Sequence, residues 1–222
     1  MNIVVIDYGL GNLRSVYNAL AFLGADTKIS GSPEDIENAD KIVLPGVGAF
    51  PDAMSGLEKR GLVGPLRQFL TSGRAYLGIC LGLQLLFESS AEGGANGLGV
   101  FRGKVRRFMA EDGIKVPHIG WNAVSCQLSA VPDLVGTPKN LIRRTAIRGS
   151  HKLMEGIKDG SYFYFDHSYY AEPVDKDTVA AITDYGAEFA SFVRKDNIYA
   201  VQFHPERSQE LGLRLLENFI KL

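Results

Sequence analysis

The stretch Ala75-Tyr76-Leu77-Gly78-Ile79-Cys80-Leu81-Gly82-Leu83-Gln84-Leu85-Leu86 constrains the fold of this chain more than any other. An apolar run enters a cysteine that has a glycine two residues away on each side, then leaves in a second apolar run. That order predicts strand, sharp turn and helix, with the helix spanning Leu81 to Ser89. The spacing is the G-x-nucleophile-x-G pattern of a nucleophile elbow, with cysteine in place of serine. Such a turn is expected to expose the sulfur at the sheet edge. The start of the following helix would favour the thiolate, the reactive form of the side chain. Cys80 is therefore a candidate nucleophile. On this stretch alone, a small buried apolar residue is an equal reading.

The far end of the chain supplies the context. Asn197 to Phe203 reads as a strand that stops at His204-Pro205-Glu206. Pro205 keeps His204 out of helical geometry, and residues two apart in extended chain point to the same side. His204 to take the thiol proton and Glu206 to hold its tautomer complete a Cys-His-Glu triad. Thiolate attack on an amide builds negative charge on the carbonyl oxygen, so the site also needs hydrogen-bond donors. Pro45-Gly46-Val47-Gly48 follows the strand-like run Lys41 to Leu44, and Gly46 and Gly48 let backbone N–H groups approach a ligand. The N–H groups of Val47 and Leu81 are the expected oxyanion donors.

Gly78-Ile79-Cys80-Leu81-Gly82-Leu83-Gln84, Pro45-Gly46-Val47-Gly48 and Phe203-His204-Pro205-Glu206 together resemble the class I, triad-type glutamine amidotransferases. Within that class, Asp7 to Leu13, Pro117 to Asn122 and His167-Ser168-Tyr169 resemble the glutaminase subunits of imidazole glycerol phosphate synthases. The resemblance runs from the first strand to the last helix. It implies glutamine as substrate, held by Gly46, Gly48, Gln84 and the main chain at Ser168 and Tyr169, and no cofactor. It also implies a heterodimer with a (β/α)8 cyclase that uses the ammonia in histidine biosynthesis. Gly9, Gly11, Asn12, Trp121 and Asn122 would face that partner. The same glutaminase chemistry serving another acceptor synthase, or a non-catalytic regulatory module, are the competing readings.

Length and charge bound the rest. The 222 residues allow one domain with a substantial core and leave no room for an acceptor enzyme. A net charge of −1 gives no field that draws the chain to nucleic acid or an anionic membrane. No apolar run approaches the about 18 residues needed to span a bilayer, and no secretory leader is visible, so a cytoplasmic, reducing location is expected. There Cys80 and Cys126, the 2 cysteines, would stay unpaired. Histidines at 118, 151, 167 and 204 show no zinc-ligand spacing.

Alternating strands and helices up to the elbow predict an α/β fold. Its central sheet is mostly parallel with helices on both faces, of the flavodoxin-like kind found in class I glutamine amidotransferases, and ligands bind at the carboxyl ends of the strands. Gly9-x-Gly11 is not a dinucleotide loop, because Arg14 stands where a third glycine is needed. Asn12 and Ser32 read as helix caps. In the carboxyl half, Tyr162–Phe165, Val179–Thr183, Phe189–Arg194 and Ile198–Phe203 read as mostly antiparallel strands, and Glu210 to Leu222 closes the chain as a helix. Val131 to His151 reads as an additional segment with a cluster of Arg143, Arg144, Arg148 and Lys152, a solvated surface excursion first and a partner-docking patch as the alternative. If the Asp166 carboxylate lies near His167, it should favour the charged imidazolium.

Overall fold

Each early strand is apolar on both sides, and a crossover through a helix returns the chain to the same end of the sheet, so these strands pair in parallel. The computed structural model describes residues 1–110, 114–126 and 152–222. Its first half runs β1 (Asn2–Ile6), α1 (Leu13–Phe22), β2 (Asp26–Ser30), α2 (Pro33–Glu37), β3 (Lys41–Gly46), α3 (Phe50–Lys59), α4 (Val63–Thr71), β4 (Ala75–Cys80) and α5 (Leu81–Gln84). The second half runs β5 (Phe87–Ser90), β6 (Phe101–Arg107), β7 (His118–Cys126), β8 (Ser161–His167), β9 (Tyr169–Pro173), β10 (Val179–Asp184), β11 (Glu188–Lys195), β12 (Ile198–Val201) and α6 (Gln209–Lys221).

Nine strands form one sheet in the order β2-β1-β3-β4-β12-β11-β10-β7-β8, and β5, β6 and β9 form a second. The first five of the nine are mutually parallel and the rest antiparallel. β12 is the pivot. It lies parallel to β4, with Ala200 opposite Gly78 and Val201 opposite Ile79, and antiparallel to β11. The last strand of the chain therefore ends level with the residue before Cys80, and the segment that follows emerges beside the elbow. Alternate residues of β1 enter opposite cores: Val4 and Ile6 pack with residues of α3 and α4, Ile3 and Val5 with residues of α1 and α6. Lys41 reaches through to the end of α6, donating to the carbonyls of Phe219 (2.9 Å) and Ile220 (2.7 Å), where a cation complements the helix dipole.

Several local expectations differ from the structure. The helix after Cys80 ends at Gln84 instead of Ser89. The carbonyls of Leu85, Leu86, Phe87 and Glu88 accept from N–H groups of residues 97–101, so none is free to extend a helix. Asn12 and Ser32 occupy cap positions but make no side-chain cap bond. β7 runs on to Cys126, and β9 has no counterpart in the sequence pattern, because both depend on pairing with distant partners. The additional segment at 131–151 lies outside the described residues.

Candidate active site

The turn at Cys80 is set by close backbone packing. Cys80 has φ 53° and ψ −105°, a left-handed conformation that costs a non-glycine residue on the order of 1–3 kcal/mol. A Cβ on Gly82 would overlap the Leu44 carbonyl oxygen, and one on Gly78 would lie 2.7 Å from Gly82 O, so both flanking positions exclude larger residues. The sulfur is not exposed as expected: Cys80 is 4% accessible, enclosed between β3 and β12. Nor is it inside the first turn of a long helix. It caps a helix of four residues, whose dipole is weak.

What faces the sulfur comes from beyond β12. His204 donates its main-chain N–H to Tyr164 O (2.8 Å), and Ser208 Oγ donates to His204 O (2.6 Å), fixing the histidine backbone between β8 and α6. Its Nδ1 lies 2.8 Å from Glu206 Oε1, with the two side chains 2% and 1% exposed. A carboxylate there requires Nδ1 to carry a proton, which leaves Nε2 as the proton-accepting atom. Nε2 and Glu206 Oε2 have no hydrogen-bond partner of ordinary geometry among the described residues. Burial pulls the His204 pKa down, but charge and hydrogen bonding from Cys80, then Glu206, more than offset it, and it stands well above the usual imidazole value.

A cavity of about 280 Å³ opens over this group, lined by Val47, Gly48, Cys80, Leu81, Gln84, Glu92, Pro117, Asp166, His167, Ser168 and Tyr169. It lies at the carboxyl ends of β3 and β4, as expected for such a sheet. A larger cavity of about 570 Å³, with Gly73, Arg74 and Asn197 in its wall, lies at the amino ends of β4 and β12 and has no cysteine or histidine among its lining residues.

The Tyr169 carbonyl orients two networks around the cavity. It accepts from Gln84 Nε2 (2.8 Å) and faces His167 Nδ1 (2.8 Å), and because a carbonyl only accepts, His167 Nδ1 must carry the hydrogen. His167 Nε2 is then an acceptor for His118 Nδ1 (3.0 Å), and His118 Nε2 is left facing Asn122 Nδ2 (3.4 Å). Both rings are neutral. Burial lowers the His118 pKa to about 4 and that of His167 to about 3, against a rise from the Tyr169 bond in the second case. The condition for a charged His167, an Asp166 carboxylate beside its ring, is not met. Alternation along β8 turns the Asp166 side chain to the other face, where its Oδ2 meets Arg207 (3.3 Å) and its carboxylate never faces the imidazole.

This pair makes stability pH-dependent with a definite sign. Folded pKa values lie below the unfolded value of about 6.5, so the stabilisation is complete above pH 6.5 and is lost as pH falls toward 4 and 3. Between pH 7 and 5 each histidine removes about 2 kcal/mol, because only the unfolded chain takes up its proton. His204, with its raised pKa, acts in the opposite sense, so a single-site comparison is needed. His118→Asn, whose amide can replace the Nδ1 donor, is expected to shrink the loss between pH 7 and 5 by about 2 kcal/mol in urea unfolding. An unchanged loss would mean that His118 titrates normally in the folded chain.

The residues expected in the site are distributed as follows. Val47, Gly48, Cys80, Leu81, Gln84, Ser168 and Tyr169 line one cavity. Gly46 does not line it. Gly46 is buried under the loop, where a Cβ would overlap Tyr8 Oη and lie 2.8 Å from Leu81 Cβ. Gly9, with φ 96°, and Gly11, with φ 115°, shape a loop beside it, and Gly11 approaches Pro45 O and Gly46 Cα. Trp121 is 45% exposed, edge-on to Tyr164. Asn122 is half-buried. Its amide nitrogen donates to Asp184 O (2.9 Å) and its oxygen accepts from Ala123 N–H (2.8 Å), because residues 118, 120 and 122 share the inner face of β7.

Sequence reasoning missed Gln202, the meeting of His118 with His167, and Glu92, whose carboxylate accepts from Phe50 N–H (2.8 Å) at the start of α3. Only Gln202 left a signal, as a polar residue in an apolar run two positions before His204.

The family described as glutamine amidotransferase class-I matches residues 4–222. The chain belongs to the class I glutamine amidotransferases. Among class I amidotransferase relatives, it is 45% identical to imidazole glycerol phosphate synthase subunit HisH of Syntrophotalea carbinolica, over 98% of each chain. It is 45% identical to the subunit of that name from Aquifex aeolicus, over 99% of this chain and 96% of the relative, and 43% identical to that from Caldanaerobacter subterraneus, over 97% and 95%. Solved structures share the amidotransferase fold at lower identity. PurLQS from Thermotoga maritima superposes with a TM-score of 0.72 at 17% identity, covering 99% of this chain and 97% of that one. A structure titled as a glutamine amidotransferase gives 0.70 at 18% over 99% of each chain. No helix among the described residues is long and apolar enough to cross a membrane.

Proposed function

We infer that this chain is the glutamine-hydrolysing subunit of an imidazole glycerol phosphate synthase, acting through a thioester on Cys80 and passing ammonia to a separate (β/α)8 cyclase subunit in histidine biosynthesis. The observation that carries this is the strained, buried Cys80 beside a buried His204–Glu206 pair whose Nε2 has no other hydrogen-bond partner among the described residues, in a chain 43–45% identical to HisH subunits.

The Cys80 sulfur attacks the side-chain carbonyl carbon of glutamine while His204 Nε2 holds the thiol proton. The oxyanion so formed is received by main-chain donors at Val47 and Leu81. Collapse breaks the C–N bond, His204 hands its proton to the leaving nitrogen, and ammonia departs. Water then attacks the thioester, losing a proton to His204, which returns it to the sulfur as glutamate is released. Glu206 keeps Nδ1 protonated throughout. Glu92, at the cavity wall, supplies a negative charge suited to the substrate ammonium.

Val47 is 40% exposed and Gly48 has φ 111°, so this loop can reorient at low steric cost. One oxyanion donor is worth about 10²–10³ in rate. Glutamate release is therefore expected to be slow for the chain alone and faster with the cyclase. It should be faster again, by about 10²-fold or more and mainly in kcat, when the cyclase carries its nucleotide substrate. Equal kcat in all three states would mean a preformed oxyanion site, and no release in any of them would remove the glutaminase assignment.

A further inference from the structure

We infer that Gln202 is a catalytic residue: its amide donates a hydrogen bond to the Cys80 sulfur and holds the Gln84 amide in the orientation that leaves an acceptor for the cavity. This rests on Cys80 being the nucleophile proposed above.

The orientation follows from the bonds alone. Gln84 Nε2 donates to Tyr169 O at 2.8 Å, and that partner can only accept, so the Gln84 nitrogen is fixed. The Gln202 atom 3.2 Å from the same nitrogen must then be an oxygen. That places Gln202 Nε2 toward Cys80 Sγ, at 3.4 Å. Both hydrogens of the Gln84 nitrogen are used, and what remains of its amide is the carbonyl oxygen, a partner for an N–H donor of the substrate.

Burial argues that the amide has a purpose. Gln202 is fully inaccessible and Gln84 is 4% exposed. Ile198 and Ala200, the preceding residues on the same side of β12, are apolar, and an apolar residue at 202 would avoid desolvating an amide. An N–H donor favours the anionic form of the atom it faces. The sulfur also faces the Asp166 main-chain carbonyl, which accepts from the thiol at 3.8 Å, His204, backed by Glu206, from the turn after β12, and Tyr8 from the loop after β1, whose hydroxyl donates to Pro45 O. The neutral His167 ring, on β8, is near enough to His204 for the two to influence each other electrostatically. Among these, Gln202 is a donor that carries no proton of the reaction. It stays in place when the sulfur attacks, and again when the sulfur leaves the thioester.

The test uses the full chain carrying Gln202→Met or Gln202→Leu, two apolar replacements of different shape, each checked for folding by thermal unfolding. Alkylation of Cys80 by iodoacetamide is followed from about pH 5 to 9, across the usual thiol range, and read by peptide mass, which separates it from Cys126. Glutamine turnover is measured with the cyclase present. The pH profile of alkylation is expected to move upward, with the rate at pH 7 lower by about tenfold, since a hydrogen bond to a charged group carries about that weight. Turnover should show kcat lower by about 10–100-fold and KM higher by about tenfold, the latter from a Gln84 amide no longer held. A wild-type alkylation profile and kcat in a folded variant would overturn the assignment. If the wild-type complex released no glutamate, the glutaminase reading would fall, while the alkylation profiles would still decide whether Gln202 acts on the sulfur.

Discussion

Cys80→Ala is expected to lower glutamate release by about 10⁴-fold or more while the complex with the cyclase keeps its ammonium-dependent synthesis. The sulfur is the atom to which the acyl group is transferred, and neither His204 nor the oxyanion donors can substitute for it. On the proposed function the acceptor reaction belongs to the cyclase chain, which needs ammonia and its nucleotide substrate but not the Cys80 thiol. Loss of both activities in a folded complex would refute that division of labour. The same position tests the strain at the elbow. Alanine retains the penalty of φ 53°, whereas glycine adopts it freely. Relief of on the order of 1–3 kcal/mol exceeds the entropy that glycine adds to the unfolded chain, so Cys80→Gly should be the more stable of the two by about 1 kcal/mol. Urea midpoints measured with equal slopes would show it, and a less stable Cys80→Gly would place the strain elsewhere.

The second large effect is structural. Gly82→Ala would drive a Cβ into the Leu44 carbonyl oxygen and to 2.9 Å from Leu44 C, atoms of the central strand β3. Main chain held in register by β1 and β4 cannot give way as a flexible side-chain tip does. A loss of about 4 kcal/mol or more is expected, enough to unfold an ordinary domain or to displace the elbow. Gly64 is the control. It lies in α4 with nothing within 4 Å of an added Cβ, so Gly64→Ala should be stabilising by up to about 1 kcal/mol. A Gly82→Ala chain with wild-type unfolding and activity would show that the strand–helix contact is looser than its geometry implies.

The parts of this molecule that were legible in the sequence are those set by neighbours along the chain. Gly78 and Gly82 around Cys80, the two-residue step from His204 to Glu206, and the apolar runs separated by helices each impose dihedral angles or a shared face locally. From these the parallel half of the sheet and the candidate triad follow. What tertiary structure decided are meetings across long separations. His118 finds His167 at a separation of 49 residues, and Gln202 finds Cys80 at 122. The helix after the elbow stops at Gln84 because residues 97–101 take its next carbonyls. Asn122 turns inward and Asp166 outward because strand register, fixed by pairing with β8 and β7, assigns each residue its face. Sequence specifies what a segment can form by itself. Register and crossing order, which depend on every other strand, determine which of its side chains meet, and so whether a polar residue in an apolar strand is buried at random or aimed at a sulfur.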